Sequence, residues 1–155
     1  MKTIVIAFST TKRLSSAFLR WTQRCEFSHV EVMFKDYAIG ARTVGVHKFT
    51  DFSHLINRRY RTLKVTEEQY QKFYDFLHSH IGGKYDWRAY LGFALFKNTH
   101  KPNKWFCSEL VQEAFIHANI NVLENAPAYW CQPRDFWISP TLDEPTLEMK
   151  DEWFQ

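Results

Sequence analysis

The chain has 155 residues, of which 45% are hydrophobic and 17% aromatic, and its net charge is +3 at pH 7. This length suits one folded domain, and so many aromatic residues exclude an intrinsically disordered chain. Residues 141–155 hold five acids and one base. We therefore predict a single domain over residues 1–155 with an acidic C-terminal tail at 141–155. Positive charge is scattered over the rest, so no nucleic-acid partner is expected.

The first half of the chain predicts a strand, a helix and a set of antiparallel strands. An apolar run indicates a strand over residues 1–8, and the hydroxyl side chains of residues 9–11 can cap a following helix. That helix is predicted over residues 12–23, because apolar side chains recur there at helical spacing: Leu14, Ala17, Phe18 and Trp21. Extended segments then predict a β-meander with strands at 27–34, 37–41 and 43–49.

The second half predicts one further strand and several helices. Residues 58–65 alternate as an exposed or edge strand rich in arginine, and Thr66 and Gln69 have the spacing of a capping box that opens a helix. Gly82 and Gly83 end that helix. A buried aromatic helix is predicted over 87–96, a polar loop over 97–103, and a helix capped by Asn103 after it. Four prolines predict a mostly irregular C-terminal third with one short helix after Pro133.

The sequence lacks the usual signals for secretion and for insertion into a membrane. The apolar run near the N-terminus is shorter than a signal-peptide core, and no run approaches the roughly 20 residues of a membrane-spanning helix, so a cytoplasmic protein without a transmembrane segment is expected. The three cysteines, Cys25, Cys107 and Cys131, include no CxxC pair. This pattern favours neither a disulfide framework nor a zinc site, and we expect no metal and no cofactor.

One cysteine and one histidine stand out chemically. Cys107 falls in the first turn of a predicted helix, where the positive end of the helix dipole favours a thiolate. His29 interrupts an otherwise apolar predicted strand. A histidine beside such a thiol can remove its proton, and catalytic Cys and His are commonly remote in sequence. We therefore predict a thiol enzyme in which His29 can hold the Cys107 thiolate as an ion pair, and we interpret Cys25 and Cys131 as structural.

Four short segments resemble the circularly permuted branch of the NlpC/P60 superfamily, papain-like thiol hydrolases in which the histidine strand precedes the cysteine helix. They are Ser28-His29-Val30, Val44-Gly45-Val46, Gly83-Lys84-Tyr85-Asp86 and Phe106-Cys107-Ser108-Glu109-Leu110-Val111. Their order and spacing cover roughly residues 1–140. The resemblance implies an α+β papain-like fold of permuted topology, with helices packed on an antiparallel sheet that carries His29. Compact proteins of this kind occur in bacteria and their phages.

The resemblance also implies roles for individual residues. Cys107 would attack an acyl group, His29 would act as general base and then general acid, and Tyr85 could help hold the oxyanion. A third residue usually orients the histidine from the next strand, but Gly40 stands where an acid is expected. Glu31 is the best substitute, because residues two apart on a strand share a face, and His47 is the next candidate. A Cys–His dyad remains the other alternative.

The predicted function is a cofactor-independent cysteine hydrolase, acting by thioester acyl transfer on a peptide or cell-wall amide bond. Two alternatives stay open. The permuted branch also implies acyl-ester or lipid hydrolases and acyltransferases. A catalytically inactive binding module, or one associated with a virion, would keep the same fold. The expected partner is accordingly a peptide or acyl substrate.

Overall fold

The structure is a computed structural model that describes residues 1–86, 103–124 and 126–155. The protein is α+β, with a five-stranded antiparallel sheet and, in the described residues, four α-helices. The strands of the sheet are β1 (Lys2–Thr10), β2 (His29–Met33), β3 (Ala38–Arg42), β4 (Gly45–Phe49) and β5 (Ile56–Val65). The helices are α1 (Leu14–Gln23), α2 (Glu67–Ser79), α3 (Cys107–His117) and α4 (Pro133–Ile138). A second, two-stranded sheet consists of β6 (Lys84–Tyr85) and β7 (Lys104–Trp105).

The large sheet has the strand order β4-β3-β2-β1-β5, with every neighbouring pair antiparallel. Its central strand, β2, begins at His29, which lies opposite Ser9 of β1. The small sheet is parallel and pairs Tyr85 with Trp105. Because Trp105 lies two residues before Cys107, this pairing brings the Tyr85 segment to the start of α3.

The sheet has an apolar core on each face. On one face, alternate side chains of β1 and β2 join buried residues of α2 and α3, among them Phe73, Leu77, Leu110 and Phe115. The opposite face carries a smaller cluster of Val5, Ala7, Met33, Ala38 and Tyr60. Trp153 and Phe154, in a short 3₁₀-helix over Asp151–Phe154, pack against this second cluster. The period-two alternation along the strands divides the apolar residues between the two cores.

The predicted strands and the capping box of α2 are confirmed. Each predicted strand overlaps an observed one, and their ends differ by at most two residues. Thr66 Oγ1 accepts from the Gln69 amide at 3.2 Å, and Gln69 Oε1 accepts from the Thr66 amide at 3.1 Å. The short helix after Pro133 is confirmed as α4. The predicted aromatic helix at 87–96 and most of the loop at 97–103 lie outside the described residues.

The N-terminal caps predicted for α1, from residues 9–11, and for α3, from Asn103, are both wrong. Strand β1 continues through Thr10, so α1 starts later, with Arg13 as its N-cap residue and no side-chain cap. Asn103 has a φ of 63° and is followed by β7, so α3 is delayed until Cys107, with Phe106 as N-cap residue. In both places a strand pairing overrides a locally favourable cap.

The apolar side of α1 does not face the core as its amphipathic pattern predicts. Leu14 is 89% exposed, Trp21 is 76% exposed and Phe18 is 39% exposed, whereas Leu19 and Gln23 are buried. Arg20 ties the other side of the helix to β1 by donating to Thr10 Oγ1 and, at 3.2 Å, to the Thr11 carbonyl. Burial of Leu19 in the core and the Arg20 bonds to β1 therefore hold this helix, rather than burial of its predicted apolar side.

The edge position predicted for the arginine-rich strand is confirmed, but one of its arginines is buried. β5 is the last strand of the sheet, and the C-terminal segment covers part of it through paired bonds between Tyr60 and Thr146. Arg61 donates to carbonyl oxygens of that segment, with 2.8 Å to Asp143, 2.6 Å to Leu142 and further bonds to Phe136 and Trp137. The first residues of the acidic tail are therefore bound to the sheet.

Across the described parts of the chain, no helix combines the length and the apolar character needed to cross a membrane.

Candidate active site

His29 and Glu31 come from one strand and meet through their side chains. Residues two apart on a strand project to the same side, and His29 Nε2 lies 3.2 Å from Glu31 Oε2. Because this contact uses Nε2, the ring nitrogen Nδ1 is left for another partner. The Glu31 side chain is 1% exposed and that of His29 is 14% exposed, so the histidine sits between the interior and solvent.

Cys107 is the first residue of α3, as the sequence predicts, and it is buried. The pairing of Trp105 with Tyr85 holds the chain extended up to this point. Glu109 then accepts a hydrogen bond from the Phe106 amide at 3.3 Å, which satisfies one amide at the helix start. The thiol therefore lies at the positive end of the α3 dipole, in the position that favours an anion.

The structure brings Cys107 and Glu31 to the same imidazole. Burial opposes a charged His29, but hydrogen bonding and charge interactions with Cys107 and with Glu31 outweigh it and raise the pKa of His29 to about 10. Glu31 occupies Nε2, so Nδ1 is the nitrogen available to the thiol. This arrangement suits proton transfer between Sγ and Nδ1, with the carboxylate supporting the imidazolium.

Arg42, at the end of β3, holds the carboxylate of Glu31. Its Nη2 donates to both Glu31 oxygens at 3.0 Å, and its Nε donates to Oε2 at 3.2 Å. The guanidinium lies over the Phe49 ring at 3.9 Å. Although burial favours the neutral acid, the interactions with His29 and Arg42 keep the pKa of Glu31 below its ordinary value. Glu31 is therefore an anion held from both sides.

Gly40 explains why the acid comes from β2 rather than from β3. A Cβ atom at residue 40 would lie 2.8 Å from Glu31 Cβ and 3.2 Å from Glu31 Oε2. The space in which the sequence leads one to expect a carboxylate is thus filled by Glu31 from the neighbouring strand. His47, the alternative third residue, is exposed on β4, and its Nε2 lies 3.1 Å from the Val44 carbonyl oxygen.

Tyr85 and His29 both line a cleft of about 400 Å³. The start of α1 forms one wall, with Arg13, Ser15, Ser16 and Leu19, and the β3–β4 turn forms another. Both polar and apolar residues line the cleft, including Arg42, Asp51, Val44, Phe49 and Leu55. Tyr85 is therefore placed where a group bound beside His29 could contact it.

None of the three cysteines lines the cleft itself, and only Cys107 is connected to it, through its interaction with His29. Burial raises the pKa of Cys25, and burial together with nearby acids raises the pKa of Cys131 to about 12. Cys131 Sγ donates to the Pro127 carbonyl at 3.4 Å. All three cysteines are free thiols.

Arg42 is the site residue that the sequence analysis misses. Arg42 falls between the predicted strands 37–41 and 43–49, so the predicted strands do not place its side chain on either face of the sheet. The observed β2–β3 register, with Val32 opposite Ile39, continues to place Arg42 across from His29. Extending the predicted strand by one residue gives Arg42 the same face as Gly40, and this register is the signal that locates it.

Comparison with known proteins identifies the fold and leaves the family open. No family model matches the chain. No curated protein matches it either. Among solved structures, the chain is similar to the metalloprotein yiiX from Escherichia coli O157:H7, with a TM-score of 0.70, 16% sequence identity, and coverage of 96% of this chain and 97% of that one. The α+β architecture is therefore one that an experimental structure also adopts over almost its whole length.

The structurally similar protein yiiX is a metalloprotein. Within residues 1–86, 103–124 and 126–155 of this chain, no group of three or more His, Cys, Asp or Glu side chains is arranged to hold a metal ion.

Proposed function

We propose that the protein is a cysteine hydrolase of the circularly permuted NlpC/P60 type, acting by acyl transfer through a thioester. One observation carries the proposal: Cys107, His29, Glu31 and Arg42 form a continuous series that starts at a helix N-terminus and reaches a cleft. A structural cysteine needs neither a charged histidine nor a buried carboxylate behind that histidine. Such a series is what general-base activation of a thiol requires.

In the proposed reaction, the Cys107 proton has passed to His29 Nδ1 before substrate binds, and the thiolate of this ion pair adds to the substrate carbonyl carbon. The amide N–H groups at the start of α3 stabilise the oxyanion, and Tyr85 lines the cleft that His29 also lines. The imidazolium then protonates the leaving amine, the C–N bond breaks, and a thioester remains. Water attacks that thioester while His29 accepts its proton, and the thiol leaves with a proton from the imidazolium, giving a carboxylic acid and free enzyme.

The first candidate substrate is a peptide or amide. Hydrogen-bonding groups of Thr11, Ser15 and Asp51 around the cleft suit the polar atoms of a peptide. An acyl or lipid ester is the second candidate, because Leu19, Val44, Phe49 and Leu55 also line the cleft and would suit an alkyl chain. The chemistry at Cys107 is the same for both classes.

The proposal predicts an order of alkylation that exposure alone would reverse. Cys25 is the most exposed of the three thiols, whereas Cys107 and Cys131 are each 1% exposed. We expect iodoacetamide near pH 7 to modify Cys107 first, because the His29 imidazolium stabilises its thiolate. His29→Ala should slow that modification by about tenfold or more. Mass spectrometry of the three cysteine peptides over time gives the individual rates.

Two comparisons make this experiment decisive. His78→Ala removes a histidine that interacts with Tyr37 and Tyr74 away from the site, and it should leave the Cys107 rate unchanged. Hydrolysis of p-nitrophenyl acetate and of a peptide p-nitroanilide, each with Cys107→Ser as control, separates esterase from amidase activity. Modification in the order Cys25 before Cys107, insensitive to His29→Ala, would instead indicate a binding module without catalysis.

A further inference from the structure

The cleft beside His29 contains a cationic side chain that the proposed reaction does not use. Arg13, the residue before α1, lines this cleft and is exposed. Its backbone is bonded at both ends, because its amide donates to Thr11 Oγ1 at 3.4 Å and its carbonyl accepts from the Ala17 amide at 3.1 Å. Across residues 1–86, 103–124 and 126–155, by contrast, its guanidinium forms no hydrogen bond and no ion pair.

The second arginine of the cleft wall is fully occupied. Arg42 uses Nε and Nη2 for the carboxylate of Glu31, and its Nη1 donates to the Asp51 carbonyl at 3.2 Å. One face of its guanidinium lies over the Phe49 ring, and its side chain is only 12% exposed. Of the two described arginines that line the cleft, Arg13 is therefore the one whose charge is available to a ligand.

Hydrogen bonds fix the wall that carries Arg13 relative to the catalytic histidine. Arg20 of α1 donates to Thr10 Oγ1, and that oxygen lies 2.9 Å from Ser28 Oγ. Ser28 directly precedes His29 and also lines the cleft. The helix that follows Arg13 is thus tied to the start of the His29 strand. A charge whose backbone is held in place in this way can select among ligands without first ordering the wall.

The charge balance of the cleft favours a ligand with a single negative charge. Hydrogen bonding from the Ser53 backbone keeps the pKa of Asp51 below its ordinary value, so an ionised carboxylate also lines the cleft. One carboxylate on the ligand would balance Arg13, whereas a phosphate dianion would add a further negative charge to a cleft that Asp51 already lines. The planar guanidinium also matches the two oxygens of a carboxylate.

We propose that Arg13 determines specificity by binding a carboxylate of the substrate, so that the substrate is a peptide or amide with a free carboxylate near the scissile bond. This inference rests on the proposed acyl-transfer function. A cleft of about 400 Å³ encloses a small group rather than a long chain. The carboxylate therefore lies only a few bonds from the carbonyl carbon that Cys107 attacks.

Protection of Cys107 from iodoacetamide tests the proposal with two ligands of matched size. N-acetylglycine carries a carboxylate, and N-acetylglycinamide carries a neutral amide in its place. We expect N-acetylglycine to slow Cys107 alkylation at a concentration about tenfold lower, because it forms charge-assisted hydrogen bonds with Arg13. Arg13→Gln should remove this difference between the two ligands. Arg13→Lys should keep part of it, since lysine retains the charge but not the paired donors.

A neighbouring lysine supplies the matched control. Lys12→Gln removes the same charge one residue away, from an exposed side chain outside the described cleft lining, and should keep the wild-type difference between the ligands. sn-Glycerol 3-phosphate tests the other class of anion. If it protects Cys107 more strongly than N-acetylglycine does, and Arg13→Gln abolishes that protection, the carboxylate assignment is wrong. Circular dichroism establishes that each variant is folded.

A second readout does not depend on the reactivity of Cys107. In ¹⁵N-labelled protein, the Nε–H resonance of Arg13, assigned by its loss in Arg13→Lys, should shift with N-acetylglycine and not with N-acetylglycinamide. The same shift is expected in Cys107→Ser. Slow alkylation of Cys107 would therefore count against the hydrolase proposal alone. An unmoved Arg13 resonance, equal protection by the two ligands, or an equal loss in Lys12→Gln would overturn the role of Arg13.

Discussion

At the scale of single residues, Glu31 is the group on which the site's electrostatics depend. Its carboxylate is buried between the His29 ring and the Arg42 guanidinium. A buried carboxylate costs several kcal/mol in desolvation unless both oxygens are satisfied, and here they are satisfied by charged partners. The same contacts that fix the histidine therefore also stabilise the fold, so the site and the stability of the protein are linked through pH.

The sign of that linkage follows from the lowered pKa of Glu31. A depressed native pKa contributes stability above the ordinary value of 4.5, and this contribution is lost as the pH falls through the native pKa. Glu31→Gln should lower the free energy of unfolding by about 3 kcal/mol near neutral pH, because it leaves Arg42 without its counterion. The difference from wild type should shrink below pH 4.5. Urea unfolding over a pH series measures both quantities.

The control for this prediction is Glu68→Gln, which removes an exposed carboxylate that is also paired, with Lys72 at 2.7 Å. That variant should change stability little, since exposed ion pairs contribute little. A Glu31→Gln difference that grows as the pH falls would contradict our assignment of an ionised, paired carboxylate.

Gly40 supports a second prediction, because Glu31 occupies the space that a side chain at residue 40 would need. Gly40→Ala puts a Cβ atom 2.8 Å from Glu31 Cβ, so one of two backbones must move. We expect a loss of about 1 to 3 kcal/mol in unfolding free energy and slower alkylation of Cys107. Adding Glu31→Gly removes the clash. The double variant should regain part of the stability relative to the sum of the single variants, while alkylation remains slow.

A double variant whose stability equals the sum of the two single losses would show that residues 31 and 40 do not compete for the same space. The relevant measurements are urea unfolding for stability and mass spectrometry for alkylation of Cys107.

At the scale of elements, local sequence predicts structure wherever one strong signal acts alone. The alternating strands and the Thr66 box are such cases, and both are found. The starts of α1 and α3 are not, because β1 extends through Thr10 and β7 pairs with β6 at Lys104 and Trp105. A cap is worth about 1 kcal/mol, and pairing with a distant strand can exceed that. Nothing in a single sequence specifies such distant pairing.

The residues of the candidate site likewise fall into two groups, those that local sequence predicts and those that only the tertiary structure reveals. Cys107 and His29 are recognisable because each is unusual in its local setting, a thiol at a helix start and an imidazole in an apolar strand. Glu31 follows from strand alternation. Arg42 depends on the β2–β3 register, and the contact of α1 with β1 depends on the bonds from Arg20 to Thr10 and Thr11, so both require the tertiary structure.

The capping box of α2 gives a prediction for an element that supports the core without touching the cleft. Thr66→Ala removes the acceptor for the Gln69 amide and should lower the unfolding free energy by about 1 kcal/mol. The rate of Cys107 alkylation should not change. Thr141→Ala, at an exposed threonine outside any helix, is the matched control and should leave both unfolding and alkylation as in the wild type. A slowed alkylation in Thr66→Ala would mean that α2 positions the site.

At the scale of the whole molecule, the C-terminal segment completes both faces of the sheet. Phe136 of α4 joins the core on the side of α2 and α3, and Trp153 and Phe154 cover the cluster on the other side. Phe136 thus packs in the same core as Cys107, and Tyr60 of the second cluster lies close enough to Glu31 for the carboxylate to help raise the pKa of Tyr60, after burial. Residues remote from the site in sequence therefore share its core and its electrostatics.

Arg61 is the residue that fastens this segment to the sheet, and it supports the last prediction. Its guanidinium satisfies four backbone carbonyls between residues 136 and 143, and the side chain is buried. Arg61→Met leaves those carbonyls without their donor and should lower the unfolding free energy by about 3 kcal/mol or more. Limited proteolysis should then cut first within residues 137–145, ahead of global unfolding.

Arg59→Met is the matched control, because Arg59 lies on the same strand and donates instead to the carbonyl of its neighbour Arg58 at 2.9 Å. It should keep wild-type stability and protease resistance. If Arg61→Met unfolds in one step with no early cleavage in the C-terminal segment, the segment and the sheet form one cooperative unit. In that case Arg61 stabilises the whole core rather than fastening a separable strap.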